Sequence, residues 1–221
     1  MKQVYFSPAS VERKAVEMLR KVEGLRQRHH QPFAPERSAL LILDMQNYFL
    51  DATSHAYIPS APAILPHLRA LIQAYSSRGL PLILTQHLNT PQDAGMLVQW
   101  WHDVITDGNP LSAIAEALDR SSGIVMKKSQ YDAFHGTDLE DVLRGRSVTQ
   151  VVICGVMTHL CCETTARSAF VRGFEVFFAI DGTATYTEDF HMATLLNLSH
   201  GVAMPVLTGE LLAALRRDDE R

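Results

Sequence analysis

Cys161 stands in the stretch V-V-I-C-G-V-M-T-H-L-C-C-E-T-T-A-R-S-A-F, residues 151–170. An apolar run rich in β-branched residues ends at Gly155, a short polar turn follows, and Cys161 falls where an Ala/Thr-rich helical pattern begins. A thiol at a helix start lies near unpaired backbone N–H groups and the positive end of the helix dipole. Both favour the thiolate, the nucleophilic form of cysteine. Two further groups sit at the ends of apolar runs: Asp44 closes A-L-L-I-L-D, and Lys128 follows I-V-M-K. The chemistry of such a set is coherent. The carboxylate takes the thiol's proton, the ammonium holds the carboxylate, and the sulfur attacks a carbonyl carbon. Backbone N–H groups of the turn, those of Met157 and Cys161, would cradle the oxyanion.

These groups act together only if the chain brings three strand ends to one place. From Ser38 onward, short apolar runs alternate with helical patterns. The runs at 39–44, 80–86, 123–127, 150–155, 174–180 and 202–207 are apolar without a break, as strands buried on both faces are. Helical patterns fall near 61–77, 111–118, 138–143, 161–172, 189–198 and 209–217. The alternation predicts a single-domain α/β fold: a doubly wound, six-stranded, mainly parallel, Rossmann-like sheet with helices on both faces. The irregular stretches 45–60, 87–110 and 181–187 each follow a strand and so belong to the carboxyl edge, where such sheets bind ligands. Residues 1–37 read as a helical extension and linker, and 38–221 as the domain. The extension's helix spans 8–30, with an apolar stripe of Val11, Ala15, Met18, Leu19, Val22 and Leu25 that packs on the body or on a second subunit.

Composition narrows the classes. A chain of 221 residues that is 47% hydrophobic and 20% charged can bury a full core. A net charge of −4 gives no basic face for nucleic acid. No apolar run reaches the ~20 residues of a membrane span, and the charged N-terminal pattern is not that of a signal peptide. Three clustered cysteines, Cys154, Cys161 and Cys162, form no disulfide framework and point to a reducing cytoplasm.

Three fragments in order carry a stronger signal: L-L-I-L-D-M-Q-N-Y-F, K-S-Q-Y-D-A-F-H-G-T-D-L, and C-G-V-M-T-H-L-C-C-E-T-T-A-R-S-A-F-V-R-G-F-E-V leading to A-I-D-G-T-A-T. From about Ala39 to Leu212 the chain resembles the isochorismatase-like cysteine hydrolases. The resemblance implies that family's fold and an Asp–Lys–Cys triad, here Asp44, Lys128 and Cys161. It also implies a non-proline cis peptide between Val156 and Met157, aiming the Met157 N–H into the oxyanion hole. The resemblance matches the family's lysine, by its spacing to Y-D-A-F, to Lys128 and not Lys127, and the family's nucleophile, six residues after the turn glycine, to Cys161 and not Cys162. Asp132 stands where many members have serine. The D-x-H-x-x-H metal run of nicotinamidases is missing, and His87 alone cannot supply a metal site. No metal and no cofactor are therefore expected, and metal-assisted nicotinamide hydrolysis loses ground.

Around the triad, Gln46, Tyr48 and Phe49 directly follow Asp44, and Tyr131 lies three residues after Lys128. With His87 these are candidate substrate-binding residues. Trp100 and Trp101 form either an aromatic wall for a planar substrate or a core plug and a subunit contact. His159 either touches substrate or structures its turn. The reading is a hydrolase of a small-molecule amide, carbamoyl or ureido C–N bond, working through an acyl-enzyme. One alternative is vinyl-ether hydrolysis with Asp44 as general acid; another is a non-catalytic or redox-sensing protein on the same scaffold. The family implies a homo-oligomer, dimer or tetramer. Neither nucleic acid nor membrane is expected as a partner.

Overall fold

The unbroken apolar runs become the strands of one sheet in the computed structural model, which describes residues 2–29 and 31–217. The strands are β1 (Ser38–Leu43), β2 (Leu82–His87), β3 (Ile124–Lys128), β4 (Gln150–Val156), β5 (Glu175–Ala184) and β6 (Ala203–Val206). Their order is β3-β2-β1-β4-β5-β6, and every pairing is parallel. Every residue of the central strands β1 and β4 is buried. The edge strand β3 instead alternates, with Lys127 exposed and Lys128 buried, as successive side chains of a strand must.

The helices are α1 (Val11–Arg26), α2 (Asn47–Leu50), α3 (Leu65–Ser77), α4 (Met96–Trp101), α5 (Leu139–Gly145), α6 (Glu163–Val171), α7 (Glu188–Gly201) and α8 (Thr208–Arg217). Crossovers run outward from the middle of the sheet in opposite directions. Right-handed connections therefore put α3 on one face and α6 and α7 on the other. Packing completes the layers, with α8 against α3, and α1 against α7 and the strands β5 and β6. The α1 stripe is buried within this chain: Val11, Ala15, Met18, Leu19 and Val22 all join the core. His30, the last residue expected in that helix, and residues 218–221 of the domain lie outside the described residues.

Three local features differ from the expectations. Residues 111–118 are not helical. They run beside the segment after β1, where Asn47, Tyr48 and Ala115 exchange backbone hydrogen bonds with Ala113, Leu111 and Met45. Pairing across the chain outweighs a weak local helical preference. Of the stretches expected to be irregular, 45–60 and 87–110 hold the short helices α2 and α4, and β5 runs four residues into 181–187, to Ala184.

The strand order reverses between β1 and β4, the topological switch point where ligands bind in such sheets. Gly155 makes close approach possible there. Its φ is +109°, and a Cβ on it would fall 2.1 Å from Leu43 O. Only glycine avoids that collision. No helix among the described residues is long and apolar enough to cross a membrane.

Candidate active site

Three strand ends converge at this switch. Asp44 follows β1 in the left-handed region, φ 53°, which Asp tolerates better than most residues. Thr85 of β2 fixes it: Thr85 Oγ1 accepts the Asp44 N–H at 3.1 Å and donates to Oδ1 at 2.6 Å. Lys128 ends β3, and its Nζ stands 2.7 Å from Asp44 Oδ2 with both side chains sealed from solvent. Beyond that ion pair, Oδ2 has no hydrogen-bond partner among the described residues. The same Nζ donates to His87 Nδ1 at 3.1 Å, to Gln130 O at 2.8 Å and to Cys161 Sγ at 3.5 Å. Cys161 lies in a π-helical turn, Thr158–Cys162, that leads into α6 after a cis peptide between Val156 and Met157.

Electrostatics fix the resting protonation. Burial pushes the Asp44 carboxyl up, but the Lys128 charge and the hydrogen bond from Thr85 outweigh it and hold the group below the usual carboxylate range. Burial pulls the Lys128 ammonium down, and Asp44 more than restores it. His87 drops to about 4, through burial and then the Lys128 charge. A neutral imidazole with its proton on Nε2 satisfies both contacts. Nδ1 accepts from Lys128, and Nε2–H donates to Asn89 Oδ1 at 2.9 Å. Burial raises the Cys161 thiol, and the pull of Lys128 does not offset it. At Cys161 desolvation thus outweighs the pull of the neighbouring ammonium. The cluster rests as carboxylate, ammonium and neutral thiol, with an open carboxylate oxygen to receive the thiol's proton.

Cys161 is only 6% exposed, yet it lines a cavity of about 260 Å³. Of the expected substrate-binding residues, Phe49, His87, Trp101 and Tyr131 line this cavity, as does Tyr48. Trp101 Nε1 donates to Tyr131 Oη at 2.6 Å, which ties α4 to the segment after β3. Three expected residues lie elsewhere. Gln46 is fully buried and spends its amide on the His87 backbone and Ser112 O. Trp100, 72% exposed, does not line the cavity. His159 bonds Thr185 Oγ1 at 2.6 Å and stacks on Phe190, so it structures its turn. Sequence reasoning missed His55, Asn89, Asp103 and Tyr186 in the lining. Only their place in post-strand loops hinted at them.

Asp44, His87 and Cys161 each present one donor atom within 4.8 Å of the others, the only such metal-ligating group found among the described residues. Lys128 Nζ contacts all three donors, so the cation of this cluster is an ammonium, and a metal ion would have to displace it. The donor set does not fit a resident metal.

Fold and site define the class, a doubly wound α/β sheet with a buried Asp–Lys–Cys cluster at its switch point. Comparison with known proteins makes it specific. The isochorismatase domain model matches residues 38–210. Nicotinamidase 3 of Arabidopsis thaliana is 39% identical over 183 residues, 80% of this chain and 88% of that protein. Enterobactin synthase component B of Escherichia coli (strain K12) is 30% identical over 82% of this chain, which spans 65% of that protein's length. A solved cysteine hydrolase from Pseudomonas syringae pv. phaseolicola 1448A aligns with a TM-score of 0.81 at 26% identity, covering 85% of this chain and 96% of that one. The chain belongs to the isochorismatase family.

Proposed function

We propose that this enzyme hydrolyses a C–N bond of a small amide, carbamoyl or ureido compound through a thioester on Cys161. The observation that supports it most directly is the Lys128 ammonium, shared between Asp44 at 2.7 Å and Cys161 at 3.5 Å on the edge of an apolar cavity. Asp44 takes the thiol proton as Sγ attacks the carbonyl carbon. The N–H groups of Met157 and Cys161 receive the oxyanion, and Lys128 keeps its proton and balances the charge. Asp44 returns its proton to the leaving nitrogen, and the C–N bond breaks. A water then attacks the thioester, Asp44 accepts its proton, and the acid leaves as the thiol re-forms. Phe49, His87, Trp101 and Tyr131 shape the substrate's berth.

Nicotinamide heads the panel of amides to try, because the Arabidopsis relative is named for its hydrolysis. The route needs no metal. Three free thiols agree with a reducing cytoplasmic setting. A homo-oligomer, dimer or tetramer, would use a face other than the buried stripe of α1.

Intact-mass spectrometry during turnover of an amide panel tests the mechanism. An acyl adduct on Cys161 is expected, and Cys161→Ala should lose at least about 10³-fold in kcat. A variant that keeps full activity on a true substrate would refute the role. Vinyl-ether hydrolysis predicts a different pattern, with activity lost in Asp44→Asn but surviving in Cys161→Ser.

A further inference from the structure

Charge around the cavity is one-sided. Its only lining carboxylate among the described residues is Asp103, and no lysine or arginine lines it. Lys128 offers no free cation, because its ammonium is shared among Asp44, His87 and Gln130 O. Lys2 lies over the Tyr186 ring, 4.6 Å from its centroid, and donates to His55 O, but it does not line the cavity.

Asp103 is held in place. Its Oδ2 accepts the Tyr48 hydroxyl at 2.7 Å and lies 3.2 Å from His55 Nε2, and its Oδ1 accepts the Val104 N–H at 2.8 Å. Tyr48 and His55 come from the segment after β1, and Asp103 from the segment after β2. The contact bridges two loops at the opening, where the Asp103 side chain is 50% exposed. A carboxylate placed between solvent and an apolar cavity projects its field inward, where screening is weak.

We infer that Asp103 is a specificity-determining residue: it admits neutral amides, turns away amides that carry a carboxylate, and weakens retention of the acid product. This rests on the amide-hydrolase reading above. Hydrolysis of R–CO–NH2 with one water gives R–COOH and ammonia. The acid ionises, and its anion then meets Asp103 across the cavity while the Lys128 ammonium is already engaged by Asp44. The same geometry disfavours a dicarboxylate substrate of the isochorismate type.

Benzamide and 3-carbamoylbenzoate make a neutral and anionic pair, and benzoate probes product binding by calorimetry. Assays at pH 8 keep ordinary imidazoles uncharged. Asp103→Asn should raise the ratio of kcat/KM, anionic over neutral, about tenfold, and tighten benzoate about tenfold. Asp103→Glu should restore wild-type selectivity. In the wild type itself, added salt should tighten benzoate, because it screens repulsion. A selectivity ratio and benzoate affinity unmoved in Asp103→Asn overturn the inference, as does wild-type benzoate binding that weakens with salt. An enzyme that cleaves no amide, yet binds benzoate tighter as Asp103→Asn, sinks the amide reading and leaves the charge filter standing.

Discussion

At the residue scale, one buried ammonium does three jobs. Lys128 neutralises Asp44, fixes the His87 tautomer and stands beside the Cys161 sulfur. Such a network is stable because each charge has a partner; removing one would leave the others uncompensated in a low-dielectric site. His87 gives a measurable consequence. Its folded value of about 4 lies below the ordinary histidine value near 6.5, so the unfolded chain binds the extra proton first. The associated stability is complete above pH ~6.5 and is lost as pH falls towards 4. Buried His191, lowered to about 3, acts in the same direction. Denaturant titrations across pH 4–7 should show stability falling with acid. In His87→Gln the slope should shrink by about one proton's worth. An unchanged slope would mean that His87 is not held neutral. Sequence alone singled out Asp44, Lys128 and Cys161 by motif, and the alternation of β3 explains why Lys127 is the exposed lysine. It could not show that burial outweighs the pull of Lys128 at Cys161. Desolvation depends on everything packed around the sulfur.

At the element scale, the site depends on how closely β4 approaches β1. Gly155 pairs with Leu43, and nothing larger fits against the Leu43 carbonyl. Gly155→Ala combines a backbone collision with an unfavourable φ. It should lower unfolding stability by more than ~3 kcal/mol, or prevent folding, as read from urea midpoints. A loss below ~1 kcal/mol would show that the two strands can part cheaply. The motif glycine was visible in the sequence; its reason, a neighbour more than a hundred positions away, was not. The loop residues followed the same rule. The lining contributed by Leu97, Trp101 and Asp103 comes from the 87–110 stretch, whose short helix α4 carries no periodic signal long enough to read. Trp100 and Trp101 are adjacent, so one helical step sends one to solvent and the other to the cavity.

For the whole molecule, the N-terminal extension is part of the core. Met18 is 1% exposed among residues of α1 that pack on α7, β5 and β6. Met18→Ala should cost about 2–4 kcal/mol of stability. If the stripe is intramolecular, that loss is the same at low and high protein concentration; a concentration-dependent loss would place it at a subunit contact. Residues near the N-terminus also brace the cavity wall. Gln3 N–H donates to Tyr186 O at 2.8 Å, and Tyr5 Oη accepts the Thr185 N–H at 2.9 Å.

What the sequence determined was local and periodic. Unbroken apolar runs become buried strands because backbone groups there must pair. Strand–helix alternation dictates a parallel doubly wound sheet, and strand ends then share one edge. Tertiary structure decided the rest: which loop residues line the cavity, that Gln46 and His159 are taken up by structural partners, and that burial raises the thiol. Those outcomes turn on distances and desolvation between segments remote in the chain, and neither quantity is written in the order of residues.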